Sequence, residues 1–165
     1  MIFYGFKSTS VMDCAITHEN NSELPRILVL CTGNSCRSIM AEALINHLGA
    51  GLAQSAGSTP TGSVHPLALS TLASHDIAAV SPRSKSWDEF ANTQFDIVLT
   101  VCNNAAQEPC PYFAGAPTQL HWDIPDPASA TGTPAEREAV FDAVFNQLQR
   151  CINCLLYTSP SPRDA

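Results

Sequence analysis

The sequence predicts one α/β domain built on a small, open, four-stranded parallel sheet with helices on both faces. Continuous apolar runs of strand length, such as Arg26–Leu30 and Asp96–Val101, are typical of parallel strands that are buried on both sides. Helical patterns alternate with these runs, as expected where helices cover a parallel sheet. The chain has 165 residues, of which 45% are hydrophobic, and this length fits a single domain.

Each predicted element rests on a local pattern. Apolar and β-branched runs predict the strands, of which the last is the weakest, and apolar residues at helical spacing predict the helices. The predicted order is a strand over 26–31, a helix over about 36–48, a strand over 53–56, a helix over 65–74, a short helical segment over 86–91, a strand over 96–101, a strand over 118–121 and a final helix from 133.

The helix ends carry recognisable signals. Gly49 follows the first helix and offers it a C-terminal stop, and Pro66 suits the first turn of the second. The stretch Thr133–Glu136 combines a capping box with a proline at the first helical position. The final helix then has a stripe of apolar residues that we expect to be buried: Phe141, Val144, Phe145, Leu148 and Ile152.

The two ends of the chain differ in composition from the domain, which we expect to span residues 25–153. Residues 1–24 contain one lysine and little helical periodicity, so we expect a disordered extension or a wrongly assigned start rather than a signal peptide. Residues 154–165 break abruptly from the helical pattern. We expect a non-native tail translated from a sequencing adaptor; an ordinary disordered Ser/Pro-rich tail is the alternative.

Composition excludes several classes of function. A net charge of −7 argues against nucleic acid or an anionic membrane as a partner, and no apolar run approaches the roughly 20 residues of a membrane span. Seven cysteines without a secretory signal indicate a reducing, cytoplasmic compartment, in which cysteines more often serve chemistry than structure. We expect neither a metal nor a cofactor.

The stretch Cys31–Ser38 is the most informative motif of the chain. It lies between a predicted buried strand and the start of a helix, where loop and first-turn N–H groups converge to form an anion cradle. The helix dipole and Arg37 both favour the thiolate form of Cys31, and Arg37 offers a planar fork to a tetrahedral oxyanion. Ser38 can donate a hydrogen bond to the sulfur. The motif therefore predicts a nucleophilic cysteine aimed at a bound anion.

A second cluster of cysteines follows another strand. Cys102 directly follows the strand 96–101, and Cys110 lies eight residues further on. If the strands before Cys31 and Cys102 are neighbours, their carboxyl ends lie about 5 Å apart, within reach of a disulfide. Pairing Cys102 with Cys110 requires the segment between them to loop, because a helix would hold them about 12 Å apart. Two unrelated buried cysteines are the alternative.

Taken in order, these motifs resemble the arsenate reductases built on the low-molecular-weight tyrosine phosphatase fold. The resemblance runs from about Pro25 to Asn153 and implies that fold. The motifs that carry it are Cys31–Ser38 with Met40-Ala41-Glu42, Ser55-Ala56-Gly57, Val101–Ala106, Cys110-Pro111, and His121-Trp122 with Asp126-Pro127.

The resemblance also implies a mechanism. Cys31 would attack arsenate that the loop amides and Arg37 hold, and Asp126 would protonate the leaving oxygen. Cys102 would attack Cys31 and release arsenite, and Cys110 would take over Cys102, presenting a disulfide to thioredoxin or to glutathione and glutaredoxin. Phosphate and sulfate would compete with arsenate. The implied substrate-binding residues are Thr32, Gly33, Asn34, Ser35, Cys36, Arg37 and Ser38; from its place at the helix start, we expect the Cys36 side chain to pack structurally.

Two other functions stay open on the sequence. A phosphatase would share the loop and the general acid, but Ile39 and Ala128 stand where that branch favours proline and an aromatic residue. A hydrolase also has no use for Cys102 and Cys110, because water completes its second step. A non-catalytic oxyanion-binding or redox-sensing protein is the third hypothesis, and the complete set of nucleophile, acid and relay positions argues against it.

Overall fold

The computed structural model describes residues 24–102 and 117–158, with side chains up to residue 156. Cys110 lies outside the described residues, as do residues 1–23 of the expected extension and residues 159–165 of the expected tail. In the described parts of the chain, no helix is both long and apolar enough to cross a membrane.

The elements occur in the predicted order. A 3-10 helix at Pro127–Ser129 was not predicted, and the last helix continues beyond residue 153. The elements are β1 (Arg26–Cys31), α1 (Arg37–Leu48), β2 (Leu52–Gly57), α2 (Pro66–Ser74), a 3-10 helix (Trp87–Phe90), β3 (Ile97–Thr100), β4 (Thr118–His121), the second 3-10 helix and α3 (Pro134–Thr158).

The four strands form one parallel sheet in the order β2-β1-β3-β4, which confirms the predicted fold class. The direction of winding reverses between β1 and β3, because β2 lies outside β1 on one side and β4 lies outside β3 on the other. In open α/β sheets, ligands bind beyond the carboxyl ends of the strands at such a reversal. Cys31 ends β1 at this edge, and Leu30 pairs with Thr100 of β3.

The sheet is covered on both faces, but unequally. The larger core lies between one face of the sheet and the three α-helices, and it includes the fully buried Phe141 and Phe145 of the predicted stripe. On the other face, Leu28 and Leu30 pack with Phe95, and in the described residues the cover is the 3-10 helix Trp87–Phe90. Helices on both faces are confirmed, with a short 3-10 helix as the second cover.

The predicted helix signals have the expected geometry. Gly49 takes the left-handed conformation (φ 72°) at the end of α1. Thr133 and Glu136 form the capping box: Thr133 Oγ1 accepts from the N–H of Glu136 at 3.1 Å, and Glu136 Oε1 accepts from the N–H of Thr133 at 2.8 Å. These bonds fix the start of α3, which closes the larger core.

We predict that Leu148→Ala lowers the free energy of unfolding by about 2–5 kcal/mol, because Leu148 is fully buried on α3 and its removal leaves a cavity. Leu156→Ala is the matched control on the same helix, where the leucine is 41% exposed, and it should change stability by less than about 1 kcal/mol. Urea denaturation of both variants measures the difference. Equal losses would contradict the assignment of the buried stripe.

Candidate active site

The loop between β1 and α1 is held in place by its carbonyl groups. Three of its carbonyl oxygens accept hydrogen bonds from N–H groups of the segment 59–65. With the carbonyls bound on the outside, the N–H groups of the loop can face its interior, which is the arrangement of an anion nest. The bonds join Thr59 N to Thr32 O, Thr61 N to Gly33 O and His65 N to Ser35 O, at distances of 2.9, 3.0 and 2.9 Å.

The N-terminus of α1 is left open for an anion. Cys36 is the N-cap residue and makes no side-chain capping bond, and the first turn contains no acidic residue. Because the first N–H groups of a helix have no partner within the helix, this end attracts negative charge. The anion cradle stays a prediction, and the uncapped, non-acidic start of α1 is compatible with it.

Asn34 lies at the centre of the loop and is fully buried. Its backbone is in the left-handed region (φ 47°), which asparagine tolerates better than most residues other than glycine. Its side-chain Nδ2 donates to Ser38 Oγ at 2.8 Å and to Ser55 Oγ at 3.0 Å, and its Oδ1 accepts from the N–H of Lys85 at 2.8 Å. The buried amide thus ties the loop to α1, to β2 and to the segment before the first 3-10 helix.

The loop closes tightly on the end of β2. A methyl group at Gly57 would collide with the carbonyl oxygen of Thr32 and approach Asn34. Only glycine allows this approach, so close packing against the loop explains the glycine of the Ser55-Ala56-Gly57 motif.

The sulfur of Cys31 receives two hydrogen bonds. The N–H of Asn34 donates to it at 3.2 Å, and Ser38 Oγ lies 3.0 Å away. Because Ser38 Oγ already accepts from Asn34, the hydroxyl proton of Ser38 is available for the sulfur. Cys31 is buried, with 3% of its surface exposed.

Arg37 bridges the loop to the segment after β4. Its Nη1 donates to the carbonyl of Ile124 at 3.0 Å, and its Nη2 lies 3.7 Å from Asp126 Oδ1. In the described residues, Nε of Arg37 is buried and has no hydrogen-bond partner. A buried N–H without a partner is costly, and an oxyanion in the loop would supply the missing acceptor.

Asp126 stands at the rim of the site. Its Oδ1 accepts from the N–H of Ala128 at 3.0 Å and so begins the second 3-10 helix, while the side chain stays 45% exposed. Asp126 therefore forms this turn and also lies beside Arg37.

Cys36 behaves differently from Cys31. Burial raises the pKa of the Cys36 thiol to about 11, so it stays protonated at neutral pH. Its sulfur lies 3.8 Å from Ser35 Oγ and 3.9 Å from Asp126 Oδ1. The Cys36 side chain therefore packs between the loop and the rim, as expected.

Cys102 lies beside the active-site loop. The N–H of Val101 bonds to the carbonyl of Leu30, which extends the pairing of β1 with β3 past Thr100. This register brings Cys102 next to Thr32, and the Thr32 Oγ1 to Cys102 Sγ distance is 3.6 Å. From strand spacing and rise, the Cα atoms of Cys31 and Cys102 are then roughly 6 Å apart, within the range of a disulfide.

Sequence reasoning assigned no role to two residues of the site, Ser55 and Lys85. Ser55 Oγ donates to Glu42 Oε1 at 2.5 Å, and the backbone of Lys85 holds the Asn34 amide. Ser55 belongs to the Ser55-Ala56-Gly57 motif, which implies no role for its hydroxyl group, and Lys85 belongs to no motif. Both act through contacts between segments far apart in sequence, which no local pattern reveals.

The arrangement is suited to nucleophilic chemistry on an anion. It unites a hydrogen-bonded cysteine sulfur, a helix N-terminus, an arginine with an open N–H and a carboxyl group at the rim. In the described parts of the chain, no group of three or more His, Cys, Asp or Glu side chains is placed to hold a metal ion. All the predicted site residues within the described ranges lie together; Cys110 lies outside those ranges.

Known proteins share this architecture. Residues 26–159 match the family model described as low molecular weight phosphotyrosine protein phosphatase. The chain is 33% identical over 133 residues to an arsenate reductase of Halalkalibacterium halodurans, and the aligned region covers 80% of this chain and 95% of the relative. It is 32% identical over 123 residues to an arsenate reductase of Bacillus subtilis, and the aligned region covers 74% of this chain and 88% of the relative.

Solved structures show the same fold. An arsenate reductase in the phosphate binding state superimposes with a TM-score of 0.65 at 23% identity, over 82% of this chain and 99% of the other. The tyrosine phosphatase Wzb from Escherichia coli K30 in complex with sulphate does so with a TM-score of 0.66 at 22% identity, over 83% and 99%. The chain therefore belongs to the low molecular weight phosphotyrosine protein phosphatase family, and within it resembles the arsenate reductases.

Proposed function

We propose that this protein reduces arsenate to arsenite and so serves in arsenic detoxification. The observation that carries the proposal is the position of Cys102. It lies beside Thr32, just after β3, and β3 is the neighbour of the strand that leads into the nucleophilic loop. A second thiol at this position can attack the Cys31 sulfur of an arsenic adduct, so that arsenic is released in reduced form. Relatives named arsenate reductase, at 32–33% identity, support the same reaction.

The first step forms a bond between sulfur and arsenic. Arsenate lies in the loop, where the N–H groups and Arg37 bind its oxygens. The Cys31 thiolate attacks the arsenic atom, and an oxygen leaves as water after Asp126 supplies a proton. The product is a covalent adduct in which arsenic is still in the +5 state.

The second step transfers electrons. The Cys102 thiolate attacks the sulfur of Cys31, a disulfide forms, and the sulfur–arsenic bond breaks with its electron pair remaining on arsenic. Arsenic is thereby reduced to the +3 state and leaves as arsenite, while the two cysteines are oxidised. Cys110 then attacks Cys102, frees Cys31 and presents a Cys102–Cys110 disulfide to the external reductant.

The external reductant is a thiol system, either thioredoxin or glutathione with glutaredoxin. Such a cycle needs a reducing compartment, which agrees with a cytoplasmic location. Hydrolysis of phosphotyrosine or of small phosphoesters is the second candidate, because the loop, Arg37 and Asp126 suit a phosphoryl group equally well. The match to a phosphotyrosine phosphatase family model supports phosphoester hydrolysis as this second candidate.

We predict that the full-length protein forms arsenite from arsenate when a thioredoxin or a glutaredoxin system is present, and that Cys31→Ser reduces this to the background rate. Arsenite formation and NADPH consumption measure it. Cys151→Ser is the matched control, since Cys151 lies on α3 and belongs to none of the predicted site residues, and it should keep full activity. Arsenite formation that survives in Cys31→Ser would rule out this nucleophile.

Cys102→Ser separates reduction from hydrolysis. We predict that this variant loses steady-state arsenite formation, because no second thiol can displace the adduct, while it keeps weak hydrolysis of an aryl phosphate. Parallel assays with arsenate and with p-nitrophenyl phosphate measure both reactions. If wild-type protein turns over the aryl phosphate rapidly and arsenate not at all, the phosphatase is the correct function.

Arg37→Lys keeps the positive charge but removes the planar fork. We predict a fall of about 100-fold in kcat/KM for arsenate, because an ammonium group cannot replace two parallel N–H donors. Arg150→Lys, at an exposed position of α3, is the control and should behave as wild type. A kcat/KM for Arg37→Lys within a factor of about three of the wild-type value would show that charge alone suffices at this position.

A further inference from the structure

A histidine at the start of α2 connects three parts of the molecule that meet beside the active-site loop. His65 is the N-cap residue of α2, and its backbone N–H donates to the carbonyl of Ser35 in the loop at 2.9 Å. Its ring lies against Phe141 of α3, with 4.8 Å between the ring centroids and an angle of 39° between the planes. The proposed reaction assigns this side chain no role.

The ring of His65 takes the place of the serine, threonine, aspartate or asparagine side chain that usually caps a helix. Its Nδ1 accepts a hydrogen bond from the N–H of Leu67 at 3.1 Å. A ring nitrogen that accepts a hydrogen bond carries no proton, so this bond requires the neutral ring with its proton on Nε2. The bond satisfies one of the N–H groups that have no partner within the first turn of α2.

The cap of α2 and the contact with the loop belong to the same residue. The side-chain bond to Leu67 holds His65 in an extended conformation (φ −67°, ψ 131°), from which its own N–H reaches the carbonyl of Ser35. Ser35 directly precedes Cys36, the N-cap residue of α1. A change at His65 is therefore transmitted to the end of the loop at which α1 begins.

Protonation of the ring removes the cap. The imidazolium has an N–H at both nitrogens, so the N–H at Nδ1 would face the N–H of Leu67 and two donors would oppose each other. The ring would have to turn away, and it would then also leave its contact with Phe141. A serine, threonine or asparagine cap has no such transition between pH 5 and 8, because those side chains do not titrate there.

The surroundings keep the ring neutral at pH 7. Burial and the positive charge of Arg137 lower the pKa of His65, and the negative charge of Asp126 opposes them. The capping bond acts in the same direction as burial, because it is made only to the neutral ring. The folded protein therefore keeps this cap at neutral pH and loses it only below the ordinary histidine pKa of about 6.5. Titratable side chains occur on each element that meets His65: Arg137, Glu138 and Asp142 around Phe141 on α3, Asp126 at the rim, and Cys31, Cys36 and Arg37 in the loop.

We propose that His65 is a positioning residue for the anion-binding loop: in its neutral form it caps α2 and holds the Ser35 carbonyl, and its protonation loosens the loop and weakens oxyanion binding. In this role His65 does not touch the substrate. Its effect passes through Ser35 to the start of α1, and it makes the affinity for an oxyanion depend on pH on the acid side of neutrality.

The test measures the dissociation constant of sulfate by isothermal titration calorimetry between pH 5 and 8, in the full-length protein and in His65→Asn. Sulfate keeps its charge over this range, and asparagine caps helices without titrating. The ratio of the wild-type constant to that of His65→Asn should be constant above about pH 7 and rise about three- to fivefold toward pH 5. Groups common to both proteins, such as Cys31 and Asp126, affect both constants alike and cancel in the ratio.

His75→Asn is the matched control, because His75 is a histidine at the opposite end of α2 that pairs with Asp142. The ratio of the wild-type constant to that of His75→Asn should stay the same at every pH. A constant ratio for His65→Asn would overturn the proposal. A ratio that falls at acid pH would also overturn it, because the imidazolium would then attract the anion instead of loosening its site. If His65→Asn does not fold, His65→Ser supplies another non-titrating cap for the same measurement.

The inference rests on the anion site of the proposed function, but the two can fail separately. Sulfate binding requires neither arsenate nor a reductant. A ratio that rises at acid pH without any arsenite formation would support the role of His65 and reject the proposed reaction. Arsenite formation with a constant ratio would do the reverse. If the wild-type protein bound no sulfate at any pH, the inference would fail.

Discussion

The buried amide of Asn34 is the constraint on which the active-site loop depends. Its backbone adopts the left-handed conformation that turns the chain back toward α1, and its side chain binds three segments that are distant in sequence. The turn brings its N–H to the Cys31 sulfur, and the side chain orders the Ser38 proton. One residue thereby links the shape of the loop to the contacts of the Cys31 sulfur.

The parallel sheet adds what the loop alone cannot provide. A cysteine in an anion cradle can form an adduct with phosphate or with arsenate, and the loop does not decide how that adduct ends. Because β1 and β3 are neighbours at the reversal of the strand order, the residues that follow them meet at one edge. Cys102 therefore lies beside the active-site loop, where the proposed reaction requires a second thiol. In the proposed reaction, the loop would bind the anion and the strand order would supply the second thiol that makes the reaction a reduction.

Much of the fold and part of the site could be predicted from the sequence, because they depend on local patterns. Apolar runs identify the strands, the Thr133–Glu136 capping box identifies the start of α3, and the motif at Cys31–Ser38 identifies the loop. The neighbouring position of β1 and β3 could be stated only as a condition. Lys85 could not be found, because its importance comes from burial and from a single backbone hydrogen bond to Asn34, 51 positions away. The 3-10 helix at Pro127–Ser129 was missed because one short turn has no periodicity to detect.

The most direct test of the account is a single turnover of the Cys110→Ser variant with arsenate in the absence of any external thiol. This variant stops the relay at its first disulfide, so two protein thiols must supply the two electrons that arsenite requires. The account predicts one arsenite released per chain and a disulfide between Cys31 and Cys102, identified by peptide mass mapping without reduction. Release of arsenite while Cys102 still reacts as a thiol with iodoacetamide would contradict it.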